Sequence, residues 1–476
     1  MRSLFRFVHA GLPLALAACH PVGPDYTVPV TALVKAPAAA GPLVGSAEPS
    51  VSAAPAADRW WALYQDERLD GLVRQALAAN TDLRAAAANI GRAQAALAGV
   101  ENARLPQAEI HGDFEYGQIS GEQYLLSVPV PSMGLYDTGI GISYQIDLFG
   151  QIRRGIEAAK ADEEAARAAA DVVRVTVAAD TVRAYVAVCS SGYELAVARH
   201  SLALQRRNNG LTQRLVGAGR ASALDLTRSQ TLVEQFRANI PQLEAEQRVS
   251  LYRLAVLTGQ PPANFPGDLA SCAAEPDIAQ PVPVGDGAAL LRRRPDIRLA
   301  ERQLAAATAR IGVATADLYP KIAFGLTGGS IGAIDDIFKD ATQTYGIGPV
   351  ITWNFPQQDG IRARIRGAEA GADAALAQFD GKVLAALREV ESALTVYARD
   401  LDRTAALRAA RERAAEADRQ ARELYRAGRQ DEFRTLDADR MLAGADQALA
   451  QSQSRVAADQ VNLFLALGGG WGQPAS

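Results

Sequence analysis

The chain has 476 residues, with 49 Lys and Arg against 53 Asp and Glu, which gives a formal net charge of −4. This balance argues against nucleic-acid binding, which needs a basic surface. Hydrophobic residues make up 49% of the chain but aromatic residues only 6%, and much of the apolar content is alanine. Such a composition is typical of long, closely packed helices rather than of a thick aromatic core.

The N-terminus has the pattern of a bacterial lipoprotein signal. Arg2 and Arg6 precede an apolar run that is too short to span a bilayer comfortably, and small residues lead directly to Cys19. We therefore predict a signal peptide at residues 1–18 and acylation of Cys19; the alternative is an ordinary secretory signal with a chance cysteine. Residues 19–58, rich in Pro, Ala and Val, are expected to form an extended acylated tether. No later segment offers about twenty apolar residues in a row, so we expect no transmembrane helix.

The rest of the chain consists of two similar halves. The stretch from Asn80 to Pro106 recurs 214 positions later, from Arg294 to Pro320, and each copy has a helical pattern that ends at the proline. A repeat of this length is too long for a solenoid unit and indicates one architecture built twice. The predicted boundaries are 59–265 for the first structural repeat, 266–286 for a linker, 287–470 for the second repeat and 471–476 for a C-terminal tail.

In each half the sequence pattern changes in the same order, from helical periodicity to strand-like alternation. The first helical stretch is interrupted near Asn80, where a helix end meets a new N-cap. After the proline, apolar residues alternate along two strands, as membrane-spanning strands do, although a soluble hairpin would look much the same. If the mature chain crosses a membrane, it must do so as a closed barrel. The predicted strands are Glu109–Tyr116 and Tyr136–Phe149 in the first half, and segments through 322–326 and 345–353 in the second.

A very long helical pattern follows each hairpin. In the first half it runs from Ile152 to about Leu215, and ~60 residues at 1.5 Å each make a helix of about 90 Å. A return helix follows the turn at 217–219. Its apolar residues recur every seven positions, and the register survives in the other half at an offset of 209, which indicates coiled-coil packing. Pro241, where the other half has Ala450, is expected to bend the first return helix.

No group of residues stands out as catalytic. The four histidines are scattered, and no motif for metal, nucleotide or nucleophilic chemistry is present. We therefore predict no enzyme activity, no catalytic residue, no cofactor and no metal. For the two remaining cysteines, Cys189 and Cys272, we expect unpaired and mostly buried thiols rather than the disulfide that an oxidising periplasm would permit.

The notable polar residues lie beside the two helix-to-helix turns. At the offset of 209, Asp225 beside the first turn matches Arg434 beside the second, and Asp437 matches Arg228. The charges therefore differ between the two halves although the helical pattern is the same. Such residues are either solvated caps and ion pairs at helix starts or parts of a gate.

Together these features resemble the TolC-family outer-membrane efflux channels, in the lipoprotein branch typified by OprM and NodT. The match runs from Cys19 nearly to the C-terminus; its most specific block is 290–301, supported by 22–26, by Trp60 and Trp61 and by 146–150. The resemblance implies an α+β membrane protein with an internal duplication. In it, a homotrimer closes one 12-stranded β-barrel, four strands per protomer, continuous with a long periplasmic α-helical barrel.

The resemblance also implies a function. It implies a passive exit duct, lipid-anchored in the bacterial outer membrane with a long periplasmic extension. The duct would export drugs or toxic small molecules delivered by a periplasmic membrane-fusion adaptor and an inner-membrane pump, of the RND type. Two alternatives remain: a periplasmic coiled-coil adaptor or scaffold lipoprotein, which needs no membrane-length hairpins, and a duct for type I protein secretion. The lipoprotein signal and the block at 292–296 favour drug-type efflux over protein secretion.

Finally, the resemblance assigns a periplasmic gate to the second turn. Phe433 matches an apolar constriction, Asp437 an acidic ring residue, Arg440 its basic neighbour and Tyr425 a tyrosine of the tip network. Three Asp437 carboxylates around one axis would attract cations and repel one another unless arginine compensates. Arg434 replaces an acidic residue, and Gln430 a basic one, of TolC itself, so the closed-state contacts are expected to differ. The gate residues implied are Tyr425, Phe433, Arg434, Asp437 and Arg440.

Overall fold

The computed structural model describes residues 21–118, 120–125, 127–278, 280–356 and 358–469. The α-helices in this part are α1 (Pro37–Ala40), α2 (Glu67–Ala79), α3 (Thr81–Glu101), α4 (Gln151–Gly217), α5 (Ala223–Leu257), α6 (Gly287–Arg293), α7 (Pro295–Ala316), α8 (Asp359–Arg426) and α9 (Glu432–Ala466). The strands are β1 (Val51–Ser52), β2 (Gln107–Gly117), β3 (Met133–Ile146), β4 (Val282–Pro283), β5 (Lys321–Ala333) and β6 (Gln343–Thr352).

The two halves of the chain have the same succession of elements. In the first half α3, β2, β3, α4 and α5 follow one another, and in the second half α7, β5, β6, α8 and α9 do so. The long helices α4 and α8 have 67 and 68 residues, and the return helices α5 and α9 have 35 each. The predicted order of helix, hairpin, long helix and return helix is therefore confirmed in both halves.

The predicted break near Asn80 is also confirmed. The Asn80 side-chain oxygen accepts hydrogen bonds from the N–H groups of Asp82, at 2.8 Å, and Leu83, at 3.3 Å. These are donors that the first turn of a helix leaves without a partner, so Asn80 ends α2 and caps α3. At Pro241 the sequence predicts a bend rather than a helix end, and α5 continues through this residue.

One compact unit is built around a four-stranded sheet. It comprises the described residues that fall within 21–29, 89–167 and 299–379. All neighbouring strands are antiparallel, in the order β2-β3-β5-β6. The predicted hairpins are therefore confirmed, with β3 lying slightly closer to the N-terminus than expected. Within the described residues β2 and β6 pair on one side only, so the sheet has two open edges.

The sheet has one apolar and one polar face. Ile142 lies opposite Leu326, which lies opposite Ile347, so these side chains form one row across three strands. The side chains of this face are exposed in the single chain: Ile347 is 70% exposed and Tyr345, on the same strand and face, is 92% exposed. The other face carries polar residues such as Glu109, His111, Asp113 and Glu115.

The other compact unit comprises the described residues that fall within 30–88, 168–298 and 380–469. Its core is made mainly of alanine, valine and leucine from α4, α5, α8 and α9, as the composition predicts. Six aromatic side chains also belong to it: Trp60, Trp61, Tyr64, Tyr185, Tyr397 and Phe464. Trp60 stacks on Phe464 near the end of α9 with ring centres 4.7 Å apart, and each is only 1% exposed. The contact joins the segment that precedes α2 to the end of the last helix.

The expectation of a free tether is wrong for residues 30–58. The Leu33 N–H donates to the Asp380 carboxylate at 2.8 Å, and the Val44 N–H donates to the Glu391 carboxylate at 2.6 Å. Leu43 is buried, and β1 in this segment pairs with β4 in parallel. The segment is irregular, as predicted, but it packs along α8 because that helix offers carboxylates to its unpaired backbone donors.

The expectation of free thiols is also wrong. Cys189 in α4 and Cys272, 83 positions later, form a disulfide. Cys189 is fully buried, and its partner segment passes very close to α4 at Gly192. A Cβ atom at Gly192 would lie 1.9 Å from the Cys272 carbonyl oxygen. Glycine at this position therefore permits the approach that the disulfide requires.

The predicted signal peptide at 1–18, the lipidation site Cys19 and the tail at 471–476 lie outside the described residues. In the part of the chain that the structure describes, no α-helix contains an apolar stretch long enough to cross a membrane.

Candidate functional site

The two helix-to-helix turns share one backbone geometry. Gly219, between α4 and α5, and Gly428, between α8 and α9, have φ angles of +68° and +67°. In each turn the N–H of the residue after the glycine donates to the carbonyl five residues earlier, at 2.8 Å and 2.9 Å respectively. This arrangement satisfies carbonyls that a helix end leaves free, and it needs a residue that adopts positive φ without strain. The turns are therefore equivalent scaffolds.

The helix caps beside the two turns differ. Ser222 and Asp225 form a reciprocal capping box: the Asp225 N–H donates to the Ser222 hydroxyl at 3.2 Å, and the Ser222 N–H donates to the Asp225 carboxylate at 3.1 Å. Hydrogen bonds from Ser222 hold the pKa of Asp225 below its usual value. In the second turn Asp431 accepts from the Arg434 N–H at 3.2 Å. Asp225 is thus a helix cap, as the simpler interpretation of the turn charges predicts.

A groove of about 1220 Å³ lies between the two turns and receives side chains from both. Four of the five residues assigned to the gate line it; Arg434 does not and is exposed. The charged and aromatic lining residues are Arg220, Asp225 and Arg228 from the first turn and Tyr425, Arg426, Asp431, Phe433, Asp437 and Arg440 from the second.

The contacts inside the groove are of two kinds. Arg440 and Asp437 form an ion pair at 2.9 Å, with 59% and 46% of the two side chains exposed. Both lie on α9, so this pair does not tie one helix to another. Arg228 of α5 reaches across instead: its guanidinium lies 5.8 Å from the centre of the Phe433 ring, within cation–π range.

The chemistry available at this groove is electrostatic and steric. Guanidinium and carboxylate groups line it together with two aromatic rings. Across the described ranges of the chain, no cluster of three or more His, Cys, Asp or Glu side chains is arranged to hold a metal ion. The lining therefore offers charged groups and aromatic rings as its possible contacts.

Sequence reasoning missed a buried polar network near this groove. In α8 the Arg422 Nε donates to both oxygens of Asp418 at 3.0 Å. The Arg422 Nη2 and the amide of Asn208 in α4 both donate to Asp439 of α9. Asp418 and Asp439 are each only 9% exposed. The network therefore joins three helices through buried side chains.

A signal for this network does exist in the sequence. At the offset of 209, the positions of Asp418, Arg422 and Asp439 correspond to Asn209, Gln213 and Gln230 in the first half. Three charged residues thus replace three amides at equivalent helical positions. This break in the repeat identifies the network positions, but it does not reveal that their side chains are buried.

Comparison with known protein sequences identifies a family with which the observed fold can be compared. The family model described as "Outer membrane efflux protein" matches residues 72–260 and 288–469. Nodulation protein T of Rhizobium leguminosarum bv. viciae is 31% identical over 481 residues, covering 99% of this chain and 94% of that protein. The toluene efflux pump outer membrane protein TtgC of Pseudomonas putida is 29% identical over 467 residues, covering 94% of this chain and 92% of that protein.

Comparison with solved structures agrees as well. The outer-membrane channel OprN superposes with a TM-score of 0.87 and 35% sequence identity, covering 94% of this chain and 99% of that one. Such relatives favour the predicted channel over a periplasmic adaptor, and they confirm the resemblance to the TolC family. The chain belongs to the outer membrane efflux protein family and acts as an efflux channel of the outer membrane, with a periplasmic extension.

Proposed function

We propose that this channel is the passive exit duct of a tripartite system that exports drugs or other toxic small molecules. An inner-membrane pump of the RND type and a periplasmic membrane-fusion adaptor would deliver the cargo. The name of the relative TtgC, a component of a toluene efflux pump, supports small apolar cargo. The duct itself needs no cofactor, because transport through it follows the gradient that the pump establishes.

The observation that carries the duct is the sheet with its exposed apolar face. Monomeric soluble proteins rarely expose a continuous apolar surface of this kind, whereas lipid covers it in a membrane barrel. The two open edges, β2 and β6, complement each other: β2 of one copy can pair with β6 of the next, which removes both edges. Three copies of four strands then close a 12-stranded barrel, so the proposed assembly is a homotrimer.

The proposed anchoring and domain organisation follow the sequence. Acylation of Cys19 would insert a lipid into the outer membrane, and the packed segment at 30–58 then connects that anchor to the body of the protein. The repeated succession of elements supports repeats at 59–265 and 287–470, joined by the linker at 266–286.

We assign the periplasmic gate to the groove at the second turn. Phe433 supplies the apolar constriction, and Asp437 of three protomers supplies an acidic ring. Because the ion pair of Asp437 with Arg440 is half exposed, its own stability contribution is at most about 1 kcal/mol. These two residues therefore act through the field they create along the axis. Tyr425 borders the same groove. Arg434 does not line the groove, so its role lies outside it.

Conductance of the purified protein in planar bilayers tests this function. The double variant Asp437→Ala with Arg440→Ala is expected to raise single-channel conductance, because the shorter side chains widen the passage, and to weaken cation preference, because the acidic ring is removed. The matched control is Asp402→Ala, which breaks an exposed Arg–Asp pair of the same i, i+3 spacing on α8; it is expected to behave as wild type. A protein that neither forms trimers nor conducts would refute the duct, and unchanged conductance in the double variant would refute the gate.

A further inference from the structure

The network around Asp439 has an unbalanced charge. Its side chains come from three helices: Asp418 and Arg422 from α8, Asn208 from α4 and Asp439 itself from α9. The side chains of Asp439 and Asp418 are 7% and 13% exposed. In the part of the chain that the structure describes, two buried carboxylates therefore share one guanidinium, and one negative charge has no cation of its own.

A buried carboxylate without a cation is costly unless it binds a proton. Burial is the largest cause that raises the pKa of Asp439, and a hydrogen bond with Asp418 raises it further. A single proton between the two carboxyl groups relieves the imbalance, because the protonated group can donate to the other while Arg422 and Asn208 keep their bonds. The network thus has a bonded, protonated state and a strained, fully ionised state.

The equivalent positions in the first half of the chain carry no charge. They are Asn209, Gln213 and Gln230, and the buried side-chain oxygen of Asn209 has no hydrogen-bond partner among the described residues. The shared helical scaffold therefore does not need the charged network for packing. The charged members of the network occur only in the second half, beside the turn that carries the proposed gate. This difference indicates a function specific to the second half.

The network and the groove lie on the same short segments of helix. Asp439 is two residues beyond Asp437 in α9, and Arg422 lies one turn before Tyr425 in α8. Asp437 is half exposed at the groove, whereas Asp439 is buried between helices. The two carboxylates therefore lie on opposite sides of α9. Any shift of α9 against α8 and α4 at Asp439 must also move Asp437 and Phe433.

We infer that Asp439, held by Asp418, Arg422 and Asn208, is a positioning residue that keeps α9 against α8 and α4 so that the gate stays closed, and that acid strengthens this hold. The inference rests on the proposed gate. Because the protonated state is favoured in the packed network, the hold is complete in acid and weakens as pH rises through the range in which Asp439 loses its proton.

Single-channel conductance of the full-length protein at about pH 5.5 and about pH 8.5 tests the inference. Wild type is expected to be more open at the higher pH. Asp439→Asn keeps the shape and cannot ionise, so it should stay as closed at high pH as wild type is in acid. Asp439→Ala removes the link, so it should raise the open fraction about tenfold at the lower pH, where the hold is complete, and by less at the higher pH, where the wild-type hold is already weakened. Asp402→Asn, an exposed carboxylate on α8, is the control and should keep the wild-type pH profile.

The outcomes separate this inference from the gate itself. If Asp437→Ala with Arg440→Ala changes conductance but Asp439→Asn keeps the wild-type pH dependence, the network proposal is wrong and the gate stands. If neither set of variants differs from wild type, both are wrong. Heat-modifiable trimers on a gel show for each variant that the protein has assembled, and Arg422→Gln, which leaves Asp439 in place, should open the channel as Asp439→Ala does.

Discussion

The disulfide between Cys189 and Cys272 makes a quantitative prediction about stability. It closes a loop of 83 residues, and cross-linking a loop of that length lowers the entropy of the unfolded chain by an amount worth about 4.5 kcal/mol at 25 °C. Cys272→Ser replaces the bond with a hydroxyl next to a buried thiol. We expect the variant to lose several kcal/mol of unfolding free energy, with little change in the secondary structure of the folded state.

Denaturant unfolding of the purified protein in detergent measures this loss. Wild type in its oxidised form should unfold at a higher denaturant concentration than Cys272→Ser, and wild type treated with a reductant should shift to the position of the variant. Ser271→Ala is the matched control, because Ser271 is the exposed neighbour of Cys272 and its hydroxyl bonds only to a local carbonyl. Alkylation and peptide mapping without reductant that recover both cysteines as free thiols would refute the reasoning.

Three further predictions concern the same unit. Phe464→Ala should lower the unfolding free energy by about 3–5 kcal/mol, because it removes the ring stacked on Trp60; the same denaturation experiment measures it. Gly192→Ala should block assembly of stable trimers on a gel, because the added methyl would overlap the Cys272 carbonyl. Burial raises the pKa of Glu275 from 4.5 to about 7, so its stabilising contribution is complete below about pH 4.5 and is lost as pH rises through about 7. Thermal midpoints should accordingly fall less steeply with pH in Glu275→Gln than in wild type, and equal slopes would contradict the assignment.

The proposed gate was only partly predictable from the sequence. The repeat comparison drew attention to the charges beside the second turn, and the family resemblance assigned roles to five residues there. The structure brings four of them into one groove and leaves Arg434 outside, because the backbone N–H of Arg434 serves the helix cap while its side chain is exposed. Asp439 escaped notice because it follows Asp437 closely in a charged segment, and only the packing of α4 and α8 distinguishes the buried carboxylate from the exposed one.

The sequence by itself determined the structural features that follow a short repeat period or depend on residues a few positions apart. Alternation predicted the strands, heptads predicted the return helices, and Asn80 and the turn glycines acted through bonds to residues a few positions away. The tertiary structure alone decided the pairing of Cys189 with Cys272, the packing of residues 30–58 along α8 and the burial of Asp439. Each of these depends on segments that are distant in the chain and become neighbours only after the helices have packed, and no local pattern records that distance.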